Sequence, residues 1–292
     1  MLILPAAGAA VLVIAVVLYF TALKRPGRVD PDGSRGAKYG NEMFAHLPDG
    51  VHRLRYIELE AVMNHPRLPQ QIRQEIQGTR ERGLRGIPPE DISVYVFGSA
   101  FGNEAVVLKM KDRPVDQNRI IALTQGRPVR YQGRDFFETR SGLMQFPADG
   151  LVTFVPDHFS RPHAPAPPMF GENALPALLA KVKGHIWSGA GSPGMKTGGG
   201  STGPQGATKW EARLRYSFTQ ITLGPDAVEA ITEFECFDSD DAMALAANHD
   251  GARRAEEGTN QLSRNGTKVI VRKVRPFESA HSLLRDAIPN FW

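Results

Sequence analysis

Asp238-Ser239-Asp240-Asp241 is the densest run of carboxylates in the chain. Oxygen ligands of this kind suit hard cations such as calcium. The spacing is not that of a calcium-binding loop, and the distal glutamate such a loop needs is missing. The run also stands where a helix should begin. Asp and Ser there would accept from free amides and complement the helix dipole, so the spacing points to capping.

Cys236 is the single cysteine, which excludes an intrachain disulfide and a cysteine-only metal site. It falls in the strand-like Glu233-Phe234-Glu235-Cys236-Phe237, with His249 the nearest histidine. A small buried side chain is the simpler reading than a nucleophile. Asp157, His158, His163 and His185 could together ligate a metal, but their spacing matches no known ligand pattern.

Two glycine-rich matches also fail on context. Gly189–Thr197 (GAGSPGMKT) puts Met195 where a phosphate loop needs glycine before the lysine, and no feeding strand of adequate length precedes it. Gly199-Gly200-Ser201-Thr202-Gly203 has the form of a nucleophile elbow, but glycines precede it and proline follows. An elbow requires a strand before it and a helix after. Asn265-Gly266-Thr267 fits a glycosylation sequon and also a turn before the strand at Lys268. No catalytic, cofactor-binding or metal-ligating residue is assigned, and no cofactor is expected.

The elements that would position these residues begin with a hydrophobic span. Leu2–Leu23 is 22 residues without a charge. As a helix it would extend about 33 Å, enough to cross a bilayer core of about 30 Å. No basic residue precedes it and no small-residue cleavage site ends it, so it reads as an uncleaved single-pass signal anchor whose partner is the lipid bilayer. Lys24, Arg25 and Arg28 follow directly, and the positive-inside rule favours a cytoplasmic body, although the sequence leaves the side open. The net charge of +4 and pI near 9.2 are too mild and dispersed for a nucleic-acid reader.

Residues 24–45, rich in Pro and Gly, read as a tether. Residues 46–187 form a first α+β unit. Strands are expected at 52–59, 93–98, 104–110, 129–132, 135–139, 143–146 and 151–155. Helices are expected at 69–82, 112–124 (with Asp112 as cap) and 173–182. Arg161–Pro168 has four prolines in eight residues. Residues 188–207 contain eight glycines in twenty and read as a linker or loop.

Residues 208–292 form a second unit. Trp210, Ala212, Leu214, Tyr216 and Phe218 are placed by strict alternation on one face of a strand at 209–223. A paired strand at 227–237, a helix from Asp238 to Asn248, a strand at 268–274 and a tail helix at 278–288 follow. The two blocks share a strand-turn-strand-helix order, which makes a degenerate repeat one reading and independent β-β-α construction the other.

The expected fold class is therefore α+β: an N-terminal transmembrane helix followed by antiparallel-sheet β-β-α units with helices on one face. An apolar anchor, a tether and such a body are the arrangement of a bacterial envelope protein, though no motif attaches the chain to a family. The expected function is a membrane-anchored, non-enzymatic scaffold, sensor or interaction protein with a protein partner and neither nucleic acid nor nucleotide. One alternative is a hydrolase or small-ligand-binding enzyme whose site draws on distant residues such as Asp157, His158 and Asp241. The other is an envelope-assembly component, which would expose an apolar patch of several hundred Å².

Overall fold

A computed structural model describes residues 42–47, 52–78, 84–100, 103–111, 114–131, 133–155, 184–191, 195–200, 209–252 and 259–287. All of them belong to the compact unit Pro31–Trp292. The expected membrane span, the Pro-rich stretch at 161–168 and the expected helix at 173–182 lie outside the described residues.

Strand β1 (Arg53–Ile57) leads into helices α1 (Leu59–Met63) and α2 (Gln70–Gly78). Ile72 and Ile76, one turn apart, bury the inner stripe of α2. A 3-10 turn at Pro89–Asp91 introduces the hairpin of β2 (Ile92–Ala100) and β3 (Asn103–Met110). Helix α3 (Gln117–Thr124) precedes the meander β4 (Arg127–Tyr131), β5 (Arg134–Thr139), β6 (Gly142–Gln145) and β7 (Leu151–Val155). The cap of α3 is Asp116, whose Oδ1 accepts from the amide of Arg119 at 3.0 Å; it takes the place expected for Asp112.

Strands β8 (Ile186–Ala190) and β9 (Met195–Gly200) follow. Then come β10 (Lys209–Leu223), β11 (Ala227–Cys236) and helix α4 (Ser239–Ala252). The chain closes with β12 (Thr259–Asn265), β13 (Lys268–Pro276), a 3-10 turn at Phe277–Ser279 and α5 (His281–Ala287).

All thirteen strands join one antiparallel sheet in the order β12-β13-β11-β10-β8-β1-β2-β3-β7-β6-β5-β4, with β9 beside β10. This corrects the expected fold class. The strands before and after the Gly-rich stretch are not separate β-β-α units but parts of one large sheet. The reason is β8. Ile186 pairs with Ile57 of β1 on one side and with Ile221 of β10 on the other. Part of the Gly-rich stretch is itself strand: Met195–Gly200 pairs with Leu214–Lys209 of β10. Among the described residues no helix is long and apolar enough to cross a membrane.

The register gives the sheet two faces. Ile57, Tyr95, Leu108, Phe154, Ile186 and Ile221 point to the first, where side chains of α1, α2, α3 and α5 cover them. Helix α4 lies on the same face, its Ala242 and Leu245 against Leu214, Cys236, Val269 and Val271. The opposite face carries Leu54, Tyr56, Val96, Val107, Trp187 and Phe218, with Met43 buried against them. Lys109 and Glu42 add an ion pair at 2.8 Å that holds the short segment 42–47 to this face.

A bulge corrects the alternation expected in β10. The register shifts between Leu214 and Tyr216, which pair with Cys236 and Glu235. Adjacent residues of a strand point to opposite faces, so Ala212 and Leu214 turn to α4 while Tyr216 and Phe218 turn away.

Candidate functional site

The start of α4 is built from the end of β11. The Phe237 amide donates to the Arg213 carbonyl at 3.1 Å, the last strand-like bond before the chain turns away. Asp238 Oδ1 then accepts from the amides of Asp240 (3.0 Å) and Asp241 (2.8 Å). Asp241 accepts from the Arg213 amide and from its Nε, each at 3.1 Å, and Arg213 Nη2 reaches Asp238. The carboxyl of Asp238 is held below its usual range by the Asp241 amide first, then by the Arg213 guanidinium. The chain's own donors thus occupy this carboxylate cluster, and its role is that of a helix cap.

The same turn leaves Phe237 at the surface. It is 37% exposed, and the guanidinium carbons of Arg213 and Arg215 stand 5.9 and 5.5 Å from its ring centroid. Cations near an aromatic face are attracted to its quadrupole, which restricts ring and side chains together. Met243 of α4 is 53% exposed. Aromatic, Met and Arg side chains are the types enriched in protein-protein interfaces. The shoulder of Phe237, Arg213 and Arg215 at the start of α4 is the candidate functional site.

Cys236 lies immediately behind it, fully buried. Burial, followed by the nearby carboxylates of Asp241, Glu235 and Asp238, pushes its thiol up to about 11. A nucleophilic cysteine needs the opposite shift. A disulfide reagent at pH 8 is therefore expected to react with the folded chain at least about a hundredfold more slowly than with the urea-unfolded chain. Rates within tenfold of each other would show the thiol to be open and activated.

Of the candidate metal set read from the sequence, only His185 lies among the described residues. His185 is buried, and its Nδ1 accepts from the Leu223 amide at 3.0 Å. Asp157, His158 and His163 lie outside the described residues. No group of three or more His, Cys, Asp or Glu side chains suited to a metal occurs among the described residues. Gly189 and Met195–Thr197 of the apparent phosphate loop sit in β8 and β9, as do Gly199 and Gly200 of the apparent elbow. Gly266 and Thr267 form the two-residue turn between β12 and β13, with φ of +59° at Gly266.

Two polar groupings went unread in the sequence. His65 is buried, stacks on Phe277 at 4.7 Å, and contacts the Gly224 carbonyl through Nε2 at 3.0 Å. Its Nδ1 accepts from the Arg67 amide at 3.3 Å, so Nε2 carries the proton. Burial lowers the pKa of the ring. On the opposite face of the sheet, the Tyr216 hydroxyl donates to Glu233 at 2.8 Å, and Lys268 bridges Glu233 (3.1 Å) and Glu235 (3.7 Å). Lys268 offsets one of the two carboxylates and the Tyr216 hydroxyl solvates Glu233, and both groupings read as structural.

No protein-family model matches the sequence, and no curated protein matches it. Three crystal forms of one protein, TP0453, share a loose overall likeness. Forms I, III and IV align with TM-scores of 0.45, 0.44 and 0.43 at 10–11% identity. The alignments cover 81–84% of this chain and 93–96% of that one.

Proposed function

We propose that this chain is a membrane-tethered, non-enzymatic interaction protein whose partner docks on the shoulder at the start of α4. The observation that carries this reading is Phe237, an exposed aromatic ring between two guanidinium groups. A surface phenylalanine held this way meets a partner with little side-chain entropy left to lose. Arg213 is already paired with Asp238 and Asp241, so Arg215 beside the ring is the arginine that suits an acidic group of the partner next to an apolar centre. Leu2–Leu23 supplies the tether to the bilayer, and the basic residues after it favour a body on the cytoplasmic side.

A photo-crosslinking phenylalanine analogue at position 237, in cells expressing the full chain, is the direct test. A light-dependent adduct of discrete mass is expected at 237, weakened by Arg215→Ala. None is expected at Asp226, whose side chain is 79% exposed. Equal labelling at both positions, or none at 237, would sink the proposal. Phe237→Ala loses two cation–π contacts worth about 0.5–1 kcal/mol each, a cost of about 1–2 kcal/mol that a typical domain survives, so loss of partner capture by a variant shown to be folded would not reflect unfolding.

A further inference from the structure

Asn265-Gly266 is the one place in the chain where glycine follows asparagine. The fold sets this pair at the tip of the β12–β13 hairpin, on the outer strand of the sheet. The rest of β12 is held from several sides. At its start, buried Arg275 donates to the Thr259 carbonyl at 3.4 Å and to Asn260 Oδ1 at 2.8 Å. In its middle, Leu262 packs against the core beneath α4. Towards the tip these holds end, and Ser263, Arg264, Asn265 and Gly266 are all exposed. Opening the tip breaks only the last rungs, and such local opening is far easier than unfolding the whole domain.

The turn leaves the Gly266 nitrogen outside the ladder. Asn265 pairs with Lys268, so the ladder bonds nearest the turn run between those two residues. Glycine has no Cβ to crowd an approach to its nitrogen. A bond from that nitrogen to Asn265 Cγ closes a five-membered ring. In the paired strand Asn265 is extended, and fraying of the last rung gives its backbone the rotation that closure needs.

We propose that Asn265 is a self-modification site, converting to aspartyl and isoaspartyl residues without an enzyme. Hydroxide removes the Gly266 amide proton, and the nitrogen attacks Asn265 Cγ. The new C–N bond forms as the Cγ–Nδ2 bond breaks, and ammonia leaves with a proton from water. Water then opens the cyclic imide at either carbonyl. Attack at one gives an aspartyl residue and at the other an isoaspartyl residue. The net change is amide plus water to acid plus ammonia, with no oxidant or reductant.

The two products act differently on the sheet. Asn265 stands opposite Lys268, which already bridges Glu233 (3.1 Å) and Glu235 (3.7 Å). The aspartyl product adds a third carboxylate to that side. The isoaspartyl product inserts a methylene into the main chain at the turn, so the last rung cannot re-form in register. Ageing thereby loosens the tip of the outer strand.

The full chain in neutral detergent is aged at mildly alkaline pH, folded and in urea, then digested for peptide mass mapping. Folded wild type is expected to lose the Asn265 amide at a rate within about tenfold of the unfolded chain, because only local opening gates the step. An isoaspartyl methyltransferase is expected to label the same peptide. Asn260, in the same strand but followed by Gln261 and held by Arg275, is expected to stay intact. Hydrogen exchange near the tip of β12 is expected to quicken in aged wild type and not in aged Asn265→Ser, a substitution at an exposed position. Loss at Asn265 more than about tenfold slower in the folded chain, or equal loss at Asn260, would overturn the site. Equal exchange in aged wild type and aged Asn265→Ser would overturn the loosening.

Discussion

Replacing Trp187 by alanine is expected to lower the unfolding free energy by about 3–5 kcal/mol. Trp187 is fully buried on the face of the sheet that carries Leu54, Tyr56 and Phe218. Its ring packs against Phe218 at 5.4 Å and Phe44 at 6.0 Å. Gly189 sits so close that a Cβ there would lie 3.4 Å from the indole Cζ2. The surrounding strands are tied by backbone bonds on both sides and cannot collapse into the space, so the cavity remains. Typical domains are stable by only about 5–15 kcal/mol, so this one change removes a large share. The indole Nε1 is buried and has no hydrogen-bond partner among the described residues. Trp187→Phe therefore discards no hydrogen bond and is expected to cost clearly less than the alanine variant. Urea unfolding of the full chain in detergent measures both. An alanine cost below about 1 kcal/mol, or a phenylalanine cost equal to it, would contradict this account.

The second large effect is expected at Gly184, where the chain enters β8. Its φ is +110°, and a Cβ there would stand 2.8 Å from the Ile221 carbonyl oxygen. That oxygen accepts from the His185 amide at 2.9 Å, the bond that begins the β8–β10 ladder. An alanine methyl would displace it, and the backbone would pay again for the disfavoured φ. Gly184→Ala is expected to cost about 2–4 kcal/mol. Gly133 separates the two contributions: its φ is +78° and a Cβ there meets nothing within 4 Å. Gly133→Ala is expected to cost about 1 kcal/mol, the conformational part alone. If the two variants unfold at the same urea concentration, the close approach to Ile221 is not what makes Gly184 necessary.

These residues also mark where the sequence was hard to read. The alternation of Lys209–Leu223 made β10 legible to the residue, and the β2–β3 hairpin was clear from its β-branched runs and glycine turn. The side on which β10 presents its residues was not legible. A bulge at Arg215 has no compositional signature, yet it reverses every assignment beyond it. Strand β8 was missed because its apolar content is only Ile186 and Trp187, set beside glycines that read as linker. Its pairing with β1 spans more than a hundred residues, and no local pattern reports that. Strand β12 (TNQLSRN) is polar because it is an edge, and an edge strand need bury little. The composition assigns residues 24–45 to a tether, yet Met43 is wholly buried, held by neighbours the local sequence does not name. At the candidate site, the capping role of Asp238 was visible from its position before a helix. The exposure of Phe237 between Arg213 and Arg215 was not, because it depends on where β11 ends beside β10.

The placement of β8 between β1 and β10 bears on how the chain is made. Synthesis delivers the amino terminus first. When residue 190 has emerged, β8 can pair with β1, but its other edge has no neighbour until residues 217–221 follow. During that interval the growing chain carries an open strand edge with Ile186 and Trp187 on it, the kind of edge that recruits strands from other molecules. The intervening residues, with their glycines, set how long that exposure lasts. Slowed elongation between residues 190 and 223 is thus expected to raise the aggregated fraction more than the same delay after β10 is complete.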